Sequence, residues 1–180
     1  SSRFEGKPLA DINGKSMIER VWLKCLSAAP ENQIIVATDD KRIYSHCKTK
    51  KINTIMTSKK CLTGTDRLAE VSKKIKAGFY VNVQGDEPLI NPKDIKKVIN
   101  DFKKFGITNC AATNIKGKTE IKNRNIPKIV TDKRNYLLYI SRADIPSAKS
   151  GLIKDLKKQV CIYSFSSDAI KLFGLKTKKT

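Results

Sequence analysis

Histidine occurs once, arginine seven times and cysteine five times in this chain of 180 residues, with no two cysteines close together. The lone His46 has no second histidine with which to build a metal site or a proton relay. Its polar neighbours in a helix-like stretch make it a surface residue. Cys25, Cys47, Cys61, Cys110 and Cys161 are an odd set whose spacings fit neither a disulfide framework nor a zinc ribbon, so free thiols in a reducing cytoplasm are expected. Glycine and proline, at 9 and 6 residues, are too few for a collagenous or low-complexity chain. No unbroken apolar run is long enough to span a membrane, and no secretory signal is visible. Acidic residues are scarce, 17 against 37 basic, which leaves a net charge of +20. Such an excess raises the question of a polyanionic partner. However, the bases are 30 Lys and 7 Arg, with Lys in nearly every segment, whereas phosphate and base-edge recognition favours Arg forks. Nucleic-acid binding is therefore the second reading, behind a soluble globular domain with a core of its own.

What is present alternates between helix and strand. The periodicity predicts a helix from Met17 to Leu26, a strand from Gln33 to Thr38, and a further helix capped by Asp39 or Asp40. A strand at Ile52 to Met56 precedes a helix from Asp66 to Lys76 whose apolar face holds Leu68, Val71 and Ile75. Phe79 to Val83 is a third strand. Asn91 and Pro92 open a helix with Ile95, Val98, Ile99 and Phe102 on one face, and Gly106 stops it. Cys110 to Asn114 is the next strand. This order predicts an α/β fold with a mainly parallel sheet. After about Gly117 the pattern changes to strand-like runs at Pro127 to Asp132, Tyr136 to Arg142 and Gln159 to Phe165, then a helix from Ser166 or Ser167. The expected organisation is a nucleotide-binding body over 1–117 and an antiparallel extension over 118–180.

Three clusters carry candidate chemistry. Arg3, Gly6 and Lys7 place two cations beside a glycine that lets backbone approach a ligand, which suits a triphosphate but does not have Walker spacing. A basic loop leading into a helix explains them equally well. CLTGTDRLAE (Cys61 to Glu70) offers Gly64, hydroxyls from Thr63 and Thr65, and Arg67 at a helix start. It can meet a base edge or ribose, or Thr65 or Asp66 can simply cap the helix. VNVQGDEPLI (Val81 to Ile90) carries the argument. An apolar strand ends, glycine follows, and Asp86 and Glu87 stand just beyond the strand's carboxyl end, where open parallel sheets bind ligands. Asp86 is a hard oxygen donor suited to Mg²⁺, which takes few protein ligands and lets substrate phosphates fill its shell.

GKPLADINGKSMIERV, VATDD, LTGTDR, VNVQGDEPLI and YLLYISRADIP, in that order, resemble successive motifs of the CMP-sugar synthetases, most closely the 3-deoxy-manno-octulosonate (Kdo) cytidylyltransferase branch. The resemblance implies a Rossmann-like nucleotidyltransferase that moves CMP from CTP to a 2-keto-3-deoxy sugar acid and releases pyrophosphate, with Mg²⁺ as cofactor, for lipopolysaccharide biosynthesis. It implies a cytoplasmic homodimer with no membrane or nucleic-acid partner. Arg3, Gly6 and Lys7 are implied at the triphosphate, Gly64, Thr65 and Arg67 at the cytidine and phosphates, Gln84 facing both substrates, and Asp86 on the metal. Arg3, Lys7 and Asp86 are the implied catalytic set.

The sugar side is implied to come from later strands, through Lys128, Arg142, Lys149, Gln159 and Tyr163; for Tyr163, strand packing is the competing role. This sequence departs from the family at Gln159, where the family commonly has His, and near Ser147 and Lys149. An amino analogue of Kdo or a sialic-acid-like acid therefore stays open as substrate, as does a sugar 1-phosphate for a different nucleotidyltransferase of the same fold. The resemblance further implies an apolar strand and a Pro-Ala-Arg loop ahead of Ser1, and a second metal-binding Asp beyond Thr180. The chain is accordingly expected to be a piece of a longer protein, with little stability or activity of its own.

Overall fold

Ser16 starts the first long helix by accepting a hydrogen bond from the Glu19 amide, which satisfies one of the donors a helix leaves open at its start. This cap belongs to a computed structural model that describes residues 6–147, 149 and 155–175. A short hairpin, β1 (Asp11–Ile12) and β2 (Lys15–Ser16), leads into α1 (Met17–Leu26). Then follow β3 (Val36–Thr38), α2 (Lys41–Thr49), β4 (Thr54–Met56), α3 (Gly64–Lys74), β5 (Phe79–Val83) and α4 (Pro92–Phe105). The remainder is β6 (Asn109–Asn114), the short α5 (Lys118–Lys122), β7 (Lys128–Thr131), β8 (Leu137–Ser141), β9 (Lys157–Ser166) and α6 (Ser167–Leu175). The fold is mixed α/β. No helix among the described residues is long and apolar enough to cross a membrane.

The chain divides into two compact units, Ser1–Asn109 with Ile162–Thr180, and Cys110–Cys161. Composition had placed the division at residue 117, with everything after it in the extension. In the structure the last residues return to the first unit, because residues 162–166 of β9 pair antiparallel with β5, from Phe79 opposite Ser166 to Val83 opposite Ile162. Parallel pairing among the described residues is confined to β3 and β4, with Val36 opposite Thr54 and Thr38 opposite Met56.

The core of the first unit follows the sequence periodicity. Ile18, Ile43, Cys47 and Ile52 are buried together, with Leu9, Trp22 and Val36 packed on them. Burial of each such aliphatic side chain contributes about 1.5–3 kcal/mol. α4 buries Ile95, Val98 and Phe102, and the Phe102 ring stacks on Phe79 of β5 with centroids 4.6 Å apart. Asn91 caps this helix, and Gly106 ends it at φ 68°, a left-handed conformation that costs a side-chain-bearing residue energy. The predicted strand at Gln33 to Thr38 is shorter than expected, since Glu31–Gln33 forms a 3₁₀ turn. His46 is not a surface residue either: it is half-buried, and its Nε2 lies 2.8 Å from Ser16 Oγ, joining α2 to the cap of α1.

In the second unit, β7 pairs antiparallel with β8, and its Lys128 and Ile129 also pair with Lys158 and Lys157 of β9. Lys133, Arg134 and Asn135 connect β7 to β8 as a hairpin. Asp132 Oδ1 accepts the Arg134 and Tyr136 amides at 2.8 Å, and Asn135 adopts φ 65°.

Candidate active site

Within the first unit, one cleft of about 670 Å³ runs between β3 and β5, lined at its mouth by Gly6, Lys7, Asp39, Asp40, Gly64, Arg67, Gln84 and Asp86. Its deeper wall is apolar, with Val21, Trp22, Ile34, Val36, Val81, Val83, Ile95 and Ile99. Six of the residues singled out in the sequence are thus brought together. Arg3 lies outside the described residues. Thr65, second in α3, is half-buried but does not line the cleft.

Each wall has a local cause. Gly6 turns left-handed at φ 73°, and Lys7–Leu9 then make a 3₁₀ turn that directs Lys7 to the cleft. From the opposite side β5 ends at Val83, and a turn closed by Glu87 N to Gln84 O carries Asp86 outward. Gly85 in that turn packs closely on Ile18: an added Cβ would sit 2.8 Å from Ile18 Cδ1 and that side chain would have to shift. The result is a bridge across the mouth, Lys7 Nζ to Asp86 Oδ2 at 3.0 Å, with both side chains about two-fifths exposed at 38% and 44%. Glu87, which shared the sequence signal with Asp86, is exposed and does not line the cleft.

α3 supplies the third wall. Its cap is Thr63, neither of the two residues suggested by the sequence. Thr63 Oγ1 accepts the Asp66 amide at 3.2 Å, and Asp66 Oδ2 accepts the Thr63 amide at 2.8 Å, so two open donors are satisfied reciprocally. That frees Gly64 to face the cleft. Arg67 is already engaged: its guanidinium lies 3.2 Å from Asp39 Oδ1 and donates to Thr57 Oγ1.

Asp39 and Asp40, at the end of β3, were read only as helix caps. Asp40 does cap α2, accepting the Arg42 amide at 2.8 Å. The Arg42 side chain also grips it, at 2.7 Å from Nη2 to Oδ2, and these hydrogen bonds pull the carboxyl from its ordinary 3.8 down to about 2. The signal that picked out Asp86, acids at the end of an apolar strand, was equally present here. On the cleft wall, burial pushes the Cys25 thiol up to about 11, so it is not a nucleophile at neutral pH.

Of the sugar-side candidates, Lys128, Arg142, Lys149 and Gln159 lie in the second unit. Lys128 is fully buried, and its ammonium donates to Asn123 O at 2.8 Å and Arg142 O at 3.3 Å, with Asp144 Oδ1 at 3.8 Å. Its ammonium is turned onto loop carbonyls, which it holds in place. Arg142 donates to the carbonyls of Arg124 at 3.1 Å and Asn125 at 2.9 Å. Lys149 is exposed and Gln159 is half-buried. In the first unit, Tyr163 stacks beside Phe165 with centroids 6.4 Å apart, so strand packing accounts for at least one face of its ring.

The chain matches the family described as Cytidylyltransferase over residues 1–179. A 3-deoxy-manno-octulosonate cytidylyltransferase of Protochlamydia amoebophila is 42% identical over 86% of this chain and 62% of its own length. One from Geotalea daltonii is 39% identical over 96% of this chain and 67% of its own. The chain therefore spans about two thirds or less of these relatives. A solved structure of CMP:2-keto-3-deoxy-manno-octonic acid synthetase complexed with CTP superposes with a TM-score of 0.91 at 33% identity, covering 100% of this chain and 75% of that one. A match of this extent, on a chain whose glycines, cations and strand-end carboxylates meet at one cleft, settles the family: the chain belongs to the cytidylyltransferases.

Proposed function

We propose that the protein transfers CMP from CTP to the anomeric hydroxyl of 3-deoxy-manno-octulosonate and releases pyrophosphate. The observation that carries this reading is the Lys7–Asp86 bridge at the mouth of a cleft that Gly64, Arg67 and Gln84 also line. Half-exposed ion pairs contribute only about 0–1 kcal/mol. A triphosphate can therefore draw Lys7 away at little cost and leave the Asp86 carboxylate to a metal ion.

Asp86 fits Mg²⁺ by its chemistry, a hard oxygen at a strand end with solvent access. Mg²⁺ takes most of its ligands from phosphates and water, so it needs few carboxylates from the protein. When bound, Mg²⁺ would neutralise charge on the phosphates and lower the pKa of the attacking hydroxyl. The tasks proposed for the chain are positional and electrostatic. Lys7 takes up charge on the triphosphate, Gly64 admits the cytidine side, Arg67 orders that wall, and Gln84 faces both substrates. The anomeric oxygen forms a bond to the α-phosphorus, the bond from that phosphorus to the pyrophosphate oxygen breaks, and the hydroxyl proton passes to solvent. Contacts to the sugar acid are proposed for Arg142, Lys149, Gln159 and Tyr163.

Pyrophosphate release by the full-length protein should require CTP, Mg²⁺ and the sugar acid together, and Asp86→Ala should lower it by about 10³-fold or more. Absence of release across a panel of 2-keto sugar acids, including an amino analogue and a sialic-acid-like member, would sink the proposal. A second copy of the chain is the proposed partner of the β8 face, where Tyr136 just before the strand and Leu137, Leu138 and Tyr139 in it are 48–63% exposed. Sedimentation equilibrium should give the dimer mass, and a monomer at micromolar concentration would remove this part of the proposal.

A further inference from the structure

The segment between β4 and α3 has little apolar material to hold it. After Thr57, which is buried, Ser58, Lys59 and Lys60 are exposed, and Leu62 is 76% exposed. What orders the segment is one face of α3. Arg67, Glu70 and Lys74 stand three, then four residues apart, so their side chains share that face. Arg67 donates to Thr57 Oγ1. Lys74 donates to Met56 O at 3.2 Å. Glu70, between them, accepts the Ser58 amide on both oxygens, at 2.9 and 3.1 Å, and the Cys61 thiol at 3.3 Å.

We infer that Glu70 is a positioning residue for nucleotide binding: its carboxylate ties down the 58–61 loop that leads into Thr63 and Gly64 at the cleft. The inference rests on the proposed CTP reaction for its nucleotide. Glu70 itself does not line the cleft. A carboxylate is suited to the task because it accepts from several donors at once, and a backbone amide bound to a charged acceptor makes a stronger hydrogen bond than one bound to a neutral acceptor. The Ser58 amide in turn holds the Glu70 carboxyl below its ordinary range, while burial and the adjacent carboxylate push the Cys61 thiol up.

Cys61 is a built-in reporter of the tether. In Glu70→Ala the loop loses its anchor and the thiol loses the neighbouring negative charge, so Cys61 should react with Ellman's reagent about tenfold faster. Cys61→Ser in the same background should remove that fast phase. KM for CTP should rise about tenfold with kcat within about twofold, because binding geometry is lost while the reacting groups stay in place. Glu70→Gln should fall between, since its amide oxygen still accepts from Ser58 while its NH₂ cannot accept from Cys61. An unchanged Cys61 rate in Glu70→Ala would overturn the tether. A faster rate with unchanged CTP affinity would overturn the positioning role. Failure of the unsubstituted protein to bind CTP would overturn the proposed reaction and the nucleotide part of this inference, while the thiol rate would still decide the tether.

Discussion

The cations at the cleft of the first unit and two cations of the second meet different partners. At the cleft of the first unit, Lys7, Arg67 and Arg42 pair with the carboxylates of Asp86, Asp39 and Asp40. In the second unit, Lys128 and Arg142 donate mainly to backbone carbonyls. A side-chain carboxylate at a half-exposed mouth can give way to a phosphate at small cost. A carbonyl bound to a fully buried ammonium cannot, because removing the donor strands the acceptor away from water. The difference separates Lys7, available for exchange with a ligand, from the fully buried Lys128, built into the scaffold, although both carry the same charge in the sequence.

The largest effect on this comparison should come from a pair of identical substitutions placed on either side of the divide. Lys7→Met should lower kcat/KM for CTP by about 10–100-fold while Tm stays within about 2 °C. Lys128→Met should do the reverse. Stranding two carbonyls at roughly 1–3 kcal/mol each corresponds to a fall in Tm of about 4 °C or more. Thermal unfolding and steady-state kinetics on both variants check the comparison, and equal losses of stability would erase it.

A smaller effect should appear with pH. Asp40 has its pKa lowered by Arg42, Glu70 by the Ser58 amide and Glu120 by Lys158. Each binds its proton less tightly folded than unfolded. Their stabilisation is therefore complete above the ordinary carboxylate range and is lost as pH falls through it toward about 2, the folded value for Asp40. Tm followed by circular dichroism should decline over that window, and Asp40→Asn should flatten the lower part of the decline. A curve unaltered by Asp40→Asn would show that the Arg42 grip contributes nothing to folding.

Much of the cleft was legible because its residues are set by short-range rules. Apolar alternation located β5, the Asn91–Pro92 pair and Gly106 bounded α4, and glycines marked the places where backbone comes close to something else. Gly6, Lys7, Gly64, Arg67 and Asp86 all lie at such ends, and ends of strands and starts of helices are where α/β folds gather ligands, whereas Gln84 was implied by the family resemblance. Asp39 escaped notice as a cleft residue because a carboxylate before a helix has a sufficient local explanation as a cap. Thr63 was passed over as the cap because Thr65 and Asp66 had the same chemistry two and three residues later. Only the reciprocal bond between Thr63 and Asp66 distinguishes them.

The sequence by itself determined the class of the fold, the positions of most helices and strands, and the family, because periodicity, caps and ordered motifs are properties of neighbouring residues. Tertiary structure alone decided which charges meet. The Lys7–Asp86 bridge spans 79 residues, and the burial of Lys128 depends on carbonyls from two separate loops. It also decided that β9 runs antiparallel to β5 and that the chain's last helix returns to the first unit. Strand propensity states only that a segment will be extended. Its partner and direction are chosen by what the rest of the packed chain leaves open.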